Sequence, residues 1–256
     1  MASVRSGFIR VLWGTLDHQG RRYYLRRSKI ENDVKLLTHC KYNEPFTTYV
    51  FGEDNYKFLE DQGISAKLVD KRDIVWDLDT QQFRHKLEAF RLGMQDFDEI
   101  VFLDWDELPI APLPDDFWDV LRKKASIQAI LRMYHRRKAT WRKINQRMIP
   151  CASFVYIGDK KIPDDIIKIW ETTSSGFSEE VAMARYIDEI NSGWIGTDRY
   201  WNMHEPDFFV LNEAQIYPKE KLDTKRICFD HFNHHAVTRE LKGIQNGNLK
   251  DWQKIG

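Results

Sequence analysis

The first hundred residues of the chain alternate short apolar runs with stretches of helical periodicity. Runs rich in β-branched and aromatic residues, each closed by Gly or a charged residue, predict four strands: residues 8–13, 46–52, 66–70 and 100–103. Apolar residues spaced three or four positions apart predict helices between them: around 23–37, at 55–63, and from Asp79 or Thr80 to Met94. Strands that alternate with helices indicate an α/β sheet with parallel strands.

The second half of the chain has a more mixed pattern. Further apolar runs predict strands at residues 125–134, 151–158, 207–212 and 226–232. Helical spacing covers residues 164–176 and 179–190. Neither a repeat nor a low-complexity linker separates these elements from the first half, so a single domain is predicted.

Composition narrows the class of protein. Of 256 residues, 42% are hydrophobic and 30% charged, which is ordinary for a globular protein and argues against disorder. The formal net charge of zero gives no overall affinity for polyanions. Cys40, Cys151 and Cys228 form no Cys-x-x-Cys pair, so neither a zinc site nor a disulfide framework is indicated. Reduced thiols, no signal peptide and no transmembrane run predict a cytoplasmic protein.

Charge is segregated along the chain. Residues 96–119 contain nine acidic residues and no Lys or Arg, whereas residues 120–158 contain ten Lys or Arg and no acidic residue. The second block is either a solvated basic face or a binding surface for an anion. Arg136, Arg137 and Arg142 stand among aromatic residues, a mixture that suits phosphates and a stacked ring.

The apolar strand at residues 100–103 ends abruptly in two carboxylates, Asp104 and Asp106. Asp-x-Asp is a weak motif by itself, and the chain contains two more such pairs, at Asp77 and Asp79 and at Asp96 and Asp98. Only the Asp104 pair closes a buried strand, at the sheet edge where α/β proteins bind ligands. Two carboxylates there are suited to hold a divalent cation that keeps coordination sites for a diphosphate.

A third ligand for such a cation is available in the late cluster "FDHFNHH". His231, His234 and His235 follow an apolar strand, although a structural role is the alternative for each histidine taken singly. Carboxylate and imidazole ligands together favour Mn²⁺ over Mg²⁺.

One segment resembles a known family, the GT-A glycosyltransferases, in which a helix bearing a Lys leads into a strand and a metal-binding Asp-x-Asp: "FRHKLEAFRLGMQDFDEIVFLDWDELPIAPL". Other family segments follow in the same order: "RVLWGT" resembles the nucleotide-binding strand, "PCASFVYIG" the strand after the metal site, "GFSEEVAMARYI" the acidic motif near the acceptor, and "RICFDHFNH" the last metal-binding segment. The resemblance implies a Rossmann-like mixed sheet with helices on both faces in a single domain, 1–256. Its donor half would be 1–107 and its acceptor half 108–256.

The resemblance also implies roles for individual residues. Asp104 and Asp106, with His231 as third ligand, would bind Mn²⁺ or Mg²⁺ on the diphosphate of a nucleotide-sugar, with a UDP-sugar favoured. Residues that would bind the donor are Trp13, Gly14, Thr15, Arg84 and Lys86. Glu179 or Glu180 would occupy the acidic motif, as the base that deprotonates the acceptor hydroxyl in an inverting enzyme or as a sugar-orienting group in a retaining one.

Two other interpretations remain open. An apolar strand ending in Asp-x-Asp is also the nucleophile motif of haloacid-dehalogenase-type phosphatases, with Asp104 attacking phosphorus. The hundred or so residues before the motif and the lack of a following Thr oppose that interpretation. The other is a nucleic-acid-binding module that uses the basic block at residues 122–147. In a variant of it, the chain is a glycosyltransferase whose anionic acceptor, such as a nucleic-acid base, binds to that block through Arg136, Arg137 and Arg142.

Overall fold

The computed structural model describes the following residues: 4–13, 46–70, 72, 84–105, 107–109, 113–124, 126–132, 149–172, 179–190, 210–212 and 229–231. Nine strands lie within them: β1 (Ser6–Leu12), β2 (Phe46–Val50), β3 (Ala66–Leu68), β4 (Glu99–Leu103), β5 (Glu107–Pro109), β6 (Ile127–Arg132), β7 (Ile149–Ile157), β8 (Val210–Asn212) and β9 (Phe229–His231). The same part of the chain contains five helices: α1 (Glu53–Asp61), α2 (Arg84–Asp96), α3 (Phe117–Lys124), α4 (Ile162–Thr172) and α5 (Glu179–Ile190).

Six of the strands form one mixed sheet in the order β3-β2-β1-β4-β7-β6. The strands from β3 to β4 run parallel, while β7 is antiparallel to both of its neighbours, β4 and β6. Because β1 and β4 are parallel neighbours, the residues that follow them emerge at the same edge of the sheet. Trp13 and Asp104 are those residues. The mixed α/β fold class expected from the sequence is confirmed.

Helices cover both faces of this sheet because its central strands are apolar on both faces. Ile9 and Val11 of β1 belong to a large apolar core shared with α2, α4 and α5. Leu12 faces the other way and packs in a second cluster with Phe58 and Leu59 of α1. Full burial of each such side chain contributes about 1.5–3 kcal/mol, so the two cores together hold the sheet between its helices.

A second, three-stranded sheet has the order β5-β9-β8. Strand β5 pairs antiparallel with β9, and their register sets Glu107 opposite His231. Strand β9 also pairs parallel with β8, where Asn212 stands beside His231. This sheet therefore joins the segment that follows β4 to a segment more than a hundred residues later in the chain.

Most predicted elements within the described residues agree with the structure, with two exceptions. Strand β5, which follows Asp106, was not predicted, because it has only 3 residues. Helix α3 was not predicted, because its 8 residues span only about two turns and give a short window for a periodic pattern. The helix predicted around 23–37 and the N-cap predicted at Asp79 or Thr80 lie outside the described residues. No helix among the described residues is long and apolar enough to cross a membrane.

A buried carboxylate fastens the start of β4, at the end of the strand opposite to Asp104. Glu99 accepts hydrogen bonds from Arg122 of α3, with Nη2–Oε1 at 2.6 Å and Nε–Oε2 at 3.0 Å. Its Oε2 also accepts a hydrogen bond from the Tyr156 hydroxyl at 3.0 Å, and Ser6 donates to its Oε1. Four elements are therefore tied together at this end of the sheet: β1, β4, β7 and α3.

Substituting Gly7 tests the packing at this end of the sheet. A Cβ atom on Gly7 would lie 2.6 Å from three ring carbons of Phe97, so Gly7→Ala forces the ring or the strand to move. We expect it to lower the free energy of unfolding by about 1–3 kcal/mol, as overpacking does. Val4→Ala, at a side chain that is 53% exposed, is the control. Equal urea midpoints for the two variants would contradict this packing.

Candidate active site

The end of β4 forms a tight turn. All five residues of β4 are buried, and the chain leaves the sheet after Leu103. The backbone N–H of Asp104 donates to the Ser153 carbonyl of β7 at 2.8 Å, and the N–H of Glu107 donates back to the Asp104 carbonyl at 3.0 Å. Backbone bonds therefore place Asp104 at the sheet edge, where its side chain stays 26% exposed.

Lys86 joins this carboxylate to a second one. From the first turn of α2, its Nζ lies 2.7 Å from Oδ1 and 2.8 Å from Oδ2 of Asp104. The same Nζ lies 3.4 Å from Oε1 of Glu179, at the start of α5. We call these three residues the Lys86 cluster. Its members come from three elements that are distant in the sequence but meet at the carboxyl edge of the sheet.

Burial and charge oppose each other inside the Lys86 cluster. Burial alone would lower the pKa of Lys86, but the nearby carboxylates of Asp104 and Glu179 outweigh it and the net effect raises that pKa. Burial also raises the pKa of Glu179; the Lys86 ammonium opposes the rise, and repulsion from Glu180 and Asp104 adds to it. A perturbed, buried carboxyl group at a ligand-binding edge is typical of functional sites.

The two adjacent glutamates at the start of α5 have different surroundings. The Glu179 side chain is buried, 4% exposed, and its Oε2 has no hydrogen-bond partner within the described part of the chain. Glu180 is less buried, and its Oε1 accepts a hydrogen bond from the backbone N–H of Ala152 in β7 at 3.3 Å. Glu180 is therefore tied to the sheet, whereas one oxygen of Glu179 remains available for another partner.

Trp13 lies beside the Lys86 cluster, at the end of β1. Its indole stacks on His85 with ring centroids 5.6 Å apart and an interplanar angle of 10°, and His85 meets the Phe51 ring edge-on at 4.7 Å. The indole Nε1 is buried and has no acceptor among the described residues. The sequence singled out Trp13 but not His85, although His85 stands directly before Lys86. Gly14 and Thr15 lie outside the described residues.

Arg84 is engaged with a different set of partners from those of Lys86. Its Nε lies 3.1 Å from Oε1 of Glu88, and its Nη1 lies 2.7 Å from Oε1 of Glu171 in α4. Residues two apart on a helix project in different directions, so Arg84 joins α2 to α4 while Lys86 reaches Asp104. The predicted contact of Arg84 with a donor stays a prediction.

Two residues that the sequence did not indicate anchor the turn after β4. Arg10, fully buried in β1, donates from Nη2 to the backbone carbonyl of Glu107 at 3.1 Å. Trp105 donates from its indole Nε1 to the carbonyl of Val11 at 2.8 Å. The sequence does mark Arg10 as unusual, because it is the single charged residue in the apolar run "FIRVLW".

Among the predicted metal ligands, Asp104 is the one whose side chain the structure describes. A carboxylate offers about four lone-pair sites, so Asp104 keeps accepting capacity beyond its bonds to Lys86. The pairing of β5 with β9 brings the backbone of His231 beside the segment that follows Asp104. Asp106, His234, His235 and the side chain of His231 lie outside the described part of the structure. Within that part, no group of three or more His, Cys, Asp or Glu side chains could hold a metal.

The basic block is described only at its start, residues 122–124 and 126–132. Arg122 is bound to Glu99 and Asp119 on α3, so it belongs to the fold. Arg136, Arg137 and Arg142 lie outside the described residues, and a role for them in acceptor binding stays a prediction.

Comparisons with known proteins show a likeness of fold. No family model and no curated protein matches the sequence. The structure resembles that of WbbM, a bifunctional glycosyltransferase, over 99% of this chain, with 10% identity and a TM-score of 0.51. The chain spans 51% of that protein. At that identity the likeness shows the fold alone, and it agrees with the GT-A-type fold expected from the sequence.

Two further glycosyltransferase structures align with less similarity. The galactosyltransferase LgtC, solved with donor and acceptor sugar analogues, aligns over 91% of this chain and 94% of its own, at 14% identity and a TM-score of 0.45. A glycosyltransferase involved in the glycosylation of the major capsid of PBCV-1 aligns over 93% of this chain and 98% of its own, at 9% identity and a TM-score of 0.47.

Replacing Lys86 tests the electrostatics of the Lys86 cluster. Lys86→Met leaves Asp104 and Glu179 without their shared cation, and breaking a buried ion pair costs about 3–5 kcal/mol. We expect a fall of that order in the free energy of unfolding, measured by urea denaturation. Adding Glu179→Gln should restore part of it, because the second buried charge is then absent. The control is Lys168→Met, whose partner is Asp165 and whose side chain is 72% exposed. Equal losses in the two single variants would contradict the cluster.

Proposed function

We propose that this chain is a metal-dependent glycosyltransferase, which moves a sugar from a nucleotide-sugar donor to an acceptor hydroxyl. The observation that carries the proposal is the Lys86 cluster, formed at the carboxyl edge of a sheet whose fold resembles that of a glycosyltransferase. At this edge α/β folds bind nucleotides. The Asp-x-Asp sequence begins within the cluster, at Asp104.

The proposed metal ligands are Asp104, Asp106 and His231, with His234 or His235 as substitutes for the imidazole. Support comes from the register of β5 and β9, which joins the two segments that carry these residues. Carboxylates with an imidazole favour Mn²⁺ over Mg²⁺. The bound cation would neutralise negative charge that develops on the diphosphate leaving group.

Lys86 prepares this edge for a polyanionic donor. Two carboxylates on their own would repel a diphosphate, and they would also repel each other. With its Nζ 2.7 Å from Asp104 and 3.4 Å from Glu179, Lys86 offsets one of the two negative charges and fixes the position of both side chains. We propose that this arrangement is formed before the donor arrives, which reduces the reorganisation needed during transfer.

The proposed nucleotide pocket starts at Trp13. An indole N–H is only a donor, and a buried donor without an acceptor is unfavourable unless a ligand or water supplies one. A nucleotide oxygen would satisfy the Trp13 Nε1, and Gly14 and Thr15 would continue the pocket. A UDP-sugar is the favoured donor.

Between the two glutamates, Glu179 is the one we propose to act on the sugar or the acceptor. Its Oε2 is the oxygen without a partner among the described residues, whereas Glu180 accepts the Ala152 N–H. In an inverting reaction Glu179 would take the proton of the acceptor hydroxyl, and in a retaining reaction it would hold a sugar hydroxyl. The acceptor is proposed to be a glycan or another hydroxyl compound, with an anionic group met by the basic block.

The phosphatase alternative is less favoured. The fold resembles that of a glycosyltransferase, and three strands and two helices precede β4 and Asp104 in the described part of the chain.

Metal-dependent nucleotide binding is the direct test. Melting temperature would be measured with UDP, GDP, CDP and ADP, each with Mn²⁺ and with a chelator. Ligand at a hundred times its Kd stabilises the native state by about 2.7 kcal/mol, so one nucleotide should raise the melting temperature only when Mn²⁺ is present. Asp106→Ala should abolish that shift. Asp98→Ala, from another Asp-x-Asp pair, should preserve it. No shift with any of the four nucleotides would refute the proposal.

Glutamine substitutions separate the two glutamates. Glu179→Gln keeps the shape of the side chain but removes its charge, and we expect kcat to fall about a hundredfold or more if it performs proton transfer. Glu180→Gln should reduce kcat far less, because its amide oxygen still accepts the Ala152 N–H. Sugar transfer measured with the nucleotide identified above would decide between them, and the reverse order of effects would contradict this assignment.

A further inference from the structure

Arg10 is a fully buried charged residue near the proposed site. It occupies the middle of β1 with no exposed surface. Removing a guanidinium from water is unfavourable unless its surroundings compensate for the lost hydration. Its carbon Cζ lies 4.2 Å from the centre of the Phe46 ring and 5.5 Å from that of Trp105. Aromatic faces attract a cation, so these rings offset part of the cost.

The hydrogen bond made by Arg10 reaches the segment after β4. Nη2 donates to the backbone carbonyl of Glu107, 97 positions along the chain, at 3.1 Å. Glu107 also closes the tight turn by donating its N–H to the Asp104 carbonyl. In addition, Glu107 is the β5 residue that stands opposite His231. One residue therefore links the turn, the buried guanidinium and the second sheet.

Trp105 adds a second connection between the same two segments. Its indole N–H bonds to the Val11 carbonyl, next to Arg10, at 2.8 Å. The residues on either side of Asp106, Trp105 and Glu107, are thus both fastened to β1.

We propose that Arg10 is a positioning residue for the metal site, and this inference rests on the proposed function. By holding the Glu107 carbonyl, Arg10 fixes the turn in which the Glu107 N–H bonds to the Asp104 carbonyl, and with it the position of Asp104. Through the same residue it sets the position of β9, and with it His231. A cation that requires ligands from both segments then finds them already spaced. The guanidinium contacts neither substrate nor metal in this role.

A purely stabilising role is the competing explanation, and Arg122 provides the matched control. Arg10 joins β1 to β5, just after β4, whereas Arg122 joins α3 to Glu99 at the opposite end of β4. Arg10→Met and Arg122→Met should both lower the urea midpoint. Only Arg10→Met should change the response to metal.

The experiment measures nucleotide Kd by calorimetry, once in Mn²⁺ and once in a chelator, with whichever of UDP, GDP, CDP or ADP stabilises the wild-type protein most. The ratio of the two Kd values reports the metal-dependent part of binding. We expect Arg10→Met to reduce this ratio tenfold or more while leaving the Kd in chelator within twofold of wild type. Arg122→Met should change neither value. Arg10→Lys retains the charge without the planar fork and should give an intermediate ratio.

Trp105→Phe covers the case in which Arg10→Met does not fold. It removes the indole bond to Val11 and keeps an aromatic ring beside Arg10, so we expect a smaller reduction of the same ratio. An unchanged ratio in every folded variant at these two positions would overturn the positioning role. A wild-type protein that binds none of the four nucleotides would instead refute the proposed function, and the positioning role with it.

Discussion

The candidate site depends on one interaction, the contact of the Lys86 ammonium with two carboxylates. Asp104 and Glu179 belong to elements 75 positions apart, and without a cation between them their charges would oppose the approach of β4 and α5. The Lys86 ammonium makes the approach favourable, because its attraction to the two carboxylates outweighs the cost of its own burial. The same three groups supply the polar edge on which the proposed chemistry rests.

That contact is possible only because α2 lies close against the sheet. Gly93 provides the space, since a Cβ there would come within 2.9 Å of Ile9 and 3.2 Å of Ile100. Arg84 then ties the start of the helix to α4 through Glu171. Lys86 is therefore held at the sheet edge by packing along one face of its helix and by ion pairs at its beginning. Apolar burial positions the polar site.

The ends of β4 show how the fold separates stability from proposed function. At its start, Glu99 is enclosed by partners from three other elements, and all of them act on the fold. At its end, Asp104 has a single side-chain partner, Lys86, among the described residues and stays partly exposed. Buried polar groups with a full set of partners stabilise a protein, whereas groups that retain bonding capacity at a sheet edge are able to bind ligands.

Local pattern in the sequence determined the strands and helices of the main sheet and the placement of Asp104 at a strand end. The resemblance to GT-A glycosyltransferases indicated Lys86, in the helix that precedes that strand. The sequence could not show that Glu179 is buried beside Lys86 while Glu180 bonds to β7, because adjacent residues share the same local pattern and differ only in what packs against them. It did not indicate that β5 pairs with β9, since each strand has only 3 residues and its partner lies more than a hundred positions away. Nor did it assign Arg10 to the turn after β4, because hydrogen bonds between distant segments leave no periodicity in the chain. Those features were decided by the tertiary structure, in which long-range pairing and burial select among local possibilities of similar energy.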